Sequence, residues 1–140
     1  NAPGSPLTKY EQDVLGLCDG QNIKYLGDLP ESEKIIMMQT NKALIYATDH
    51  PEVTNHKVQE CLLCGMPVIV PDIGAMPEIV TQGVNGFLCH DDKDFLEAIR
   101  NVDKLKPMEA YSEVVNMWSR ENIVKAYLPL YEQVAGGLRW

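Results

Sequence analysis

The sequence predicts an α/β fold, a parallel sheet flanked by helices, and three observations carry that prediction. Short apolar runs, Ile23 to Leu26, Ala43 to Ala47, Val68 to Val70 and Phe87 to Cys89, alternate with longer stretches whose apolar residues recur at helical spacing. Strands separated by helices pair in parallel through right-handed crossovers. Finally, 45% of the 140 residues are hydrophobic, enough for the core of one domain and too many for a disordered chain.

Ser5-Pro6 opens the first helix, with Ser as cap and Pro in the first turn. This helix runs from about Leu7 to Leu17, with Leu7, Tyr10, Val14, Leu15 and Cys18 on its buried side, and Asp19-Gly20 stops it. Ile23 to Leu26 follows as a short strand ending at Gly27-Asp28. A helix after Pro30 turns Ile35, Ile36 and Met38 inward. Ala43 to Ala47 is uninterrupted and apolar, as in a strand covered on both faces. Asn55 to Cys64 is the next helix, Val68 to Val70 the next strand, and Met76 to Thr81 a short helix. Gln82-Gly83 ends that helix, and Asn85-Gly86 turns the chain into the last strand, Phe87 to Cys89. Helices at about Lys93 to Val102, Pro107 to Met117 and Arg120 to Val134 complete the series, placing Phe95, Ala98, Ile99 and Val102, then Ile123, Tyr127 and Tyr131, at helical spacing.

Bulk properties narrow the function. A net charge of -8 argues against a nucleic-acid binder and against docking to anionic lipid. No apolar run approaches the roughly 20 residues of a membrane span, and no basic-then-apolar leader opens the chain. Cys18, Cys61, Cys64 and Cys89 are too sparse for a disulfide scaffold, which predicts a reduced, cytoplasmic setting.

In parallel sheets ligands gather at the carboxyl ends of the strands. The loops after Ala47 and after Val70 therefore form the functional rim. In the first of them Glu52 precedes a helix and Glu60 lies on it, seven residues intervening. Thr54 or Asn55 caps that helix, and its first free N–H groups favour an anion. His56 and Lys57 sit in the first turn, where a cation opposes the helix dipole unless an anion binds; both also fit a solvated surface. Glu60 lies roughly 8 Å along the axis from the helix start, at ~1.5 Å per residue. Its carboxylate suits the vicinal hydroxyls of a ribose or plain solvent. Glu52 suits sugar hydroxyls, or positive charge developing at an anomeric carbon, or an ordinary loop. Gly74 permits a ligand to approach the backbone closely or merely turns the chain.

These residues resemble the E-x7-E pattern of retaining glycosyltransferases of the group 1 (family 4) type, which have the two-domain GT-B fold. The surrounding text agrees. Glu60 to Ile69 resembles the family's E-A-hydrophobic-A-x-G-x-P-V-I, Asp72 to Val80 its D-x-G-G-x-P-E-I-V, and Gly83 to Leu88 its G-x-N-G-hydrophobic-L. Ile23 to Gly27 resembles a strand ending in F-L-G, and Trp118 to Ile123 with Tyr127 and Tyr131 its closing helix.

The resemblance implies a Rossmann-like domain, the C-terminal, donor-binding half of a GT-B enzyme, spanning residues 1–140. Residues 120–140 would be a closing helix able to pack on an N-terminal domain. It implies a nucleotide diphosphate sugar, UDP- or GDP-linked, as donor, with no separate cofactor and no metal, and an acceptor hydroxyl of unknown identity. Glu52 would face the transferred hexose and Glu60 would hold the ribose. Backbone N–H groups at Asn55 and His56 would hold the diphosphate, with Thr54 and Lys57 beside them. Gly27 and Leu29 would lie near the nucleobase.

The acceptor domain and the first two strands of the family pattern have no counterpart. The resemblance thus implies a segment in the same polypeptide or a partner chain, little activity for residues 1–140 alone, and membrane attachment, if any, through that other domain. Val53 and Asn55 stand where the family has glycine, which predicts a narrowed approach to the sugar phosphate. The arginines, Arg100, Arg120 and Arg139, all come late, so the family's basic pair has no candidate. The alternatives are a nucleotide-sugar epimerase of the same fold and a non-catalytic domain that stabilises a partner glycosyltransferase.

Other constellations read as structure. Cys61 and Cys64 are small thiols on a packed helix, and Cys89-His90-Asp91-Asp92 is a strand end followed by capping aspartates. His50, beside Asp49, belongs to the rim as surface or as a contact to a substrate hydroxyl, and Glu78 belongs to a local structural bond.

Overall fold

The structure is a computed structural model describing residues 6–139. It divides into two compact units, Asn1–Lys34 and Ile35–Trp140.

In the first unit, helix α1 spans Lys9–Gly16. Its cap is Thr8, whose hydroxyl accepts from the Glu11 N–H while the Glu11 carboxylate accepts from the Thr8 N–H at 2.7 Å, a capping box. The expected Ser5 cap lies outside the described residues. None of Leu7, Tyr10, Val14, Leu15 and Cys18 is buried, contrary to the sequence expectation. Asp19 does more than stop the helix. Its carboxylate accepts from the N–H groups of Gln21, Asn22 and Ile23 and from the Asn22 side chain. These bonds, with that from Ile23 foremost, hold its carboxyl well below the usual range. Ile23 to Leu26 forms no strand, because its backbone follows this Asx-type turn and pairs with no sheet.

Helix α2 spans Glu31–Thr40 across the boundary between the units. Ile35 and Ile36 are exposed, and it is Met37 and Met38 that are half-buried, Met38 against the core. The expected inward face was therefore misplaced around the helix.

The second unit holds the sheet. Strands β1 (Leu44–Ile45), β2 (Val68–Pro71) and β3 (Gly86–Cys89) lie in that order, all parallel, with Leu44 opposite Val68 and Ile69 opposite Phe87. Parallel neighbours need a crossover between them. Helix α3 (His56–Leu63) joins β1 to β2, and α4 (Met76–Ile79) joins β2 to β3. Helices α5 (Asp92–Asn101), α6 (Pro107–Trp118) and α7 (Arg120–Ala135) follow, a 3-10 turn at Val102–Lys104 separating the first two.

Central strand β2 is buried throughout, and its alternation explains the layers. Val68 and Val70 point to one face, where Val58, Cys61 and Leu62 of α3, Met76 and Ile79 of α4 and Val114 of α6 pack on them. Ile69 points to the other, against Cys89, Ala98 and Val102. Each such aliphatic side chain contributes about 1.5–3 kcal/mol when fully buried. β1 lies at the sheet edge, and Ile45 is 51% exposed, so the expected double cover of Ala43 to Ala47 does not hold. Asn85 is fully buried and satisfied, accepting from the Thr81 N–H at 2.8 Å and donating to the Ile79 carbonyl. It fastens the turn into β3.

The aspartate expected to cap after the last strand does so: the Asp91 carboxylate accepts from the Lys93 and Asp94 N–H groups. Helix α7 buries none of its side chains, and Ile123, Tyr127 and Tyr131 are exposed. Among the described residues no helix is long and apolar enough to cross a membrane.

Candidate functional site

The parallel order brings the loops after β1 and β2 out at one end of the sheet, and a backbone bond fastens them together. The Ala75 N–H donates to the Glu52 carbonyl at 2.9 Å. Gly74, at φ +59°, makes this possible, since a Cβ there would stand 2.6 Å from the Glu52 carbonyl oxygen. Of the two sequence readings of Gly74, the turn is present, and the backbone it approaches is that of Glu52.

Asn55 is the N-cap of α3. It is 4% exposed, and its Oδ1 accepts from the Val58 N–H at 3.0 Å. Its carbonyl accepts from the Gln59 N–H. His56 and Lys57, at the first two helical positions, precede any intrahelical acceptor, so their N–H groups point out of the helix start. Helix α3 has no acidic side chain in its first turn, which leaves the positive end of its dipole open to an anion.

Glu52 stands beside this helix start. Its Oε1 accepts from the Tyr46 hydroxyl at 2.7 Å and its Oε2 from Asn55 Nδ2 at 2.5 Å. The bond to Glu52 raises the Tyr46 phenol above its ordinary value, because losing the phenolic proton would set two anions together. Thr54 accepts from the Gln59 side chain at 3.2 Å.

Together Tyr46, Glu52, Thr54, Asn55, His56 and Lys57 line an open pocket of about 270 Å³. Five of the residues singled out in the sequence thus share one pocket. Glu60 lies outside its lining, exposed on α3 four residues after His56 and so on the same face of the helix. Gly27, at φ +65°, and Leu29, half-buried, belong to the unit Asn1–Lys34. Val53 is 94% exposed and absent from the lining, so it does not narrow the pocket as expected. Asn55 does reach the lining, with its amide committed to Glu52 and Val58. His50 is paired only loosely with Asp49, at 3.5 Å, and both are solvated.

Tyr46 is the member that sequence reasoning missed. The one signal it offered was a phenol inside an otherwise aliphatic run. Among the described residues no three His, Cys, Asp or Glu side chains gather in a metal-binding group.

The pocket brings together a hydrogen-bond acceptor held in place, a helix start open to an anion and the Lys57 side chain. No curated protein matches the chain. Residues 7–120 match the family Glycosyl transferases group 1, a span that takes in the α3 helix start, both rim loops and the whole sheet; the chain belongs to that family.

Proposed function

We propose that this glycosyltransferase domain binds a nucleotide diphosphate sugar, UDP- or GDP-linked, and serves the retaining transfer of a hexose to an acceptor hydroxyl. The single observation that carries the reading is the pocket in which Glu52, Lys57 and the α3 helix start converge. The diphosphate would rest on the N–H groups of His56 and Lys57, with the Lys57 ammonium offsetting the charge that grows as the sugar leaves. Glu52 would accept hydroxyls of the transferred hexose. Glu60, one helical turn beyond His56, would accept those of the ribose.

A pocket of about 270 Å³ lies near the small end for ligand sites and suits the sugar-phosphate part of such a donor rather than its whole length. That supports a second contributor to the site, in the same polypeptide or a partner chain, and little transfer by residues 1–140 alone. The apolar side chains exposed along α7 support its packing on such a contributor. Four free cysteines support a reducing, cytoplasmic-facing location.

The test is incubation of the full-length protein with radiolabelled UDP- and GDP-sugars, followed by product analysis. Label on an acceptor with the donor's anomeric configuration supports transfer, whereas an altered free sugar with no acceptor labelled would assign an epimerase. Glu52→Gln is expected to cut turnover by about 100-fold, and Glu60→Ala to raise the donor KM with kcat little changed. Full turnover by Glu52→Gln would sink the reading.

A further inference from the structure

The Tyr46 hydroxyl and the Asn55 amide do something that neither the strand nor the helix cap requires. We propose that both are positioning residues, which lock the Glu52 carboxylate in the pocket as a hydrogen-bond acceptor for the transferred sugar. The proposal rests on the reading of Glu52 given above.

The chemistry of the bonds fixes their direction. A backbone N–H can only donate, so the atom of Asn55 that meets Val58 N–H at 3.0 Å must be Oδ1. The amide therefore cannot flip, and its NH₂ faces Glu52 Oε2 at 2.5 Å. On the other oxygen, Tyr46 donates at 2.7 Å. Each carboxylate oxygen thus receives one protein donor. A carboxylate has about four acceptor sites, which leaves about two for a ligand.

The backbone of Glu52 is held as well, through its carbonyl on the Ala75 N–H and the close approach of Gly74. A loop glutamate with no task needs none of this, since it could stand in solvent. Nor does the core need the phenol. Tyr46 packs against it with its ring, and phenylalanine would fill the same space. Helix α3 needs only the Oδ1 of its cap, which aspartate or serine would also supply. The NH₂ of Asn55 and the hydroxyl of Tyr46 have Glu52 in common.

The experiment uses the full-length protein with UDP-glucose and GDP-mannose as probes and follows release of the nucleoside diphosphate. Tyr46→Phe is expected to lower kcat by about 10- to 100-fold while the donor KM moves by less than about threefold. Asn55→Asp keeps the helix cap but sets a second carboxylate against Glu52, and a similar loss is expected. Tyr111→Phe, on α6 and away from the pocket, should change nothing.

The second readout is spectroscopic and independent of turnover. The ultraviolet absorbance of tyrosinate, wild type minus Tyr46→Phe, reports the ionisation of Tyr46 alone. Glu52 faces that phenol directly, and His56 and Lys57 share its pocket. Glu52→Gln should move the ionisation to lower pH. A titration that Glu52→Gln leaves unchanged overturns the lock, whatever the rates. A titration that moves while Tyr46→Phe retains kcat overturns the positioning role. Full turnover by Glu52→Gln, with the titration still moving, overturns the reading of the site and leaves the lock standing.

Discussion

At Gly74 the requirement for glycine is set by a neighbouring backbone. A Cβ there would stand 2.6 Å from the Glu52 carbonyl oxygen and 2.7 Å from its nitrogen, and φ is already +59°. Neither obstacle is the end of a flexible side chain, so one of the two loops must move. Gly74→Ala is expected to cost about 1–3 kcal/mol, read as a lower urea midpoint at unchanged slope, and to lower turnover further by displacing Glu52. Retained stability would mean that the rim loops are not held together here. The same contact shows which part of the site was legible in the sequence. Glu52, Thr54, Asn55, His56 and Lys57 are nearly contiguous, and a loop entering a helix brings such neighbours together without help from the fold. The partnership of Tyr46 with Glu52 depends on the loop folding back on its own strand, and the pairing of Gly74 with Glu52 depends on strand order. Neither leaves a mark on spacing.

Among the elements, β2 and α3 were legible because burial and periodicity agree. Val68 to Val70 is apolar and covered on both faces, and Val58, Cys61 and Leu62 share one side of α3. The edge strand β1 and the helices α1, α2 and α7 carry similar apolar patterns without being buried in the same way, and there the pattern misled. A thiol lies in each layer of this packing. Cys61 on α3 and Cys89 at the end of β3 are 2% exposed, and burial pushes both from an ordinary 9.0 up to about 11. Across pH 9 to 11 the unfolded chain has lost these protons while the folded chain keeps them. Stability therefore holds below pH 9 and falls as pH rises through that window, by about 1 kcal/mol per pH unit for each thiol. Melting temperature measured from pH 8 upward should drop along this interval, and less steeply in Cys61→Ala/Cys89→Ala. Equal slopes would show that other groups govern alkaline unfolding.

For the molecule as a whole, the division into Asn1–Lys34 and Ile35–Trp140 is also a division in how stability is supplied. Every buried side chain among the described residues, from Asn55 to Val114, belongs to the second unit. The first relies on local bonds: the Thr8–Glu11 capping box and the turn around Asp19. A helix as short as α1, with eight residues, is marginal in water without tertiary packing. Regions with few buried contacts open at free energies far below the global value. Amide hydrogen exchange is therefore expected to be fast throughout α1 and slowest in β2, β3 and the last turns of α3, where the bonds sit under the core. Adding a donor sugar nucleotide should slow the peptide that contains Glu52 to Glu60, since that ligand would occupy the N–H groups at the α3 start. Protection of α1 equal to that of β2 would contradict this account, because none of the described residues of the first unit is buried.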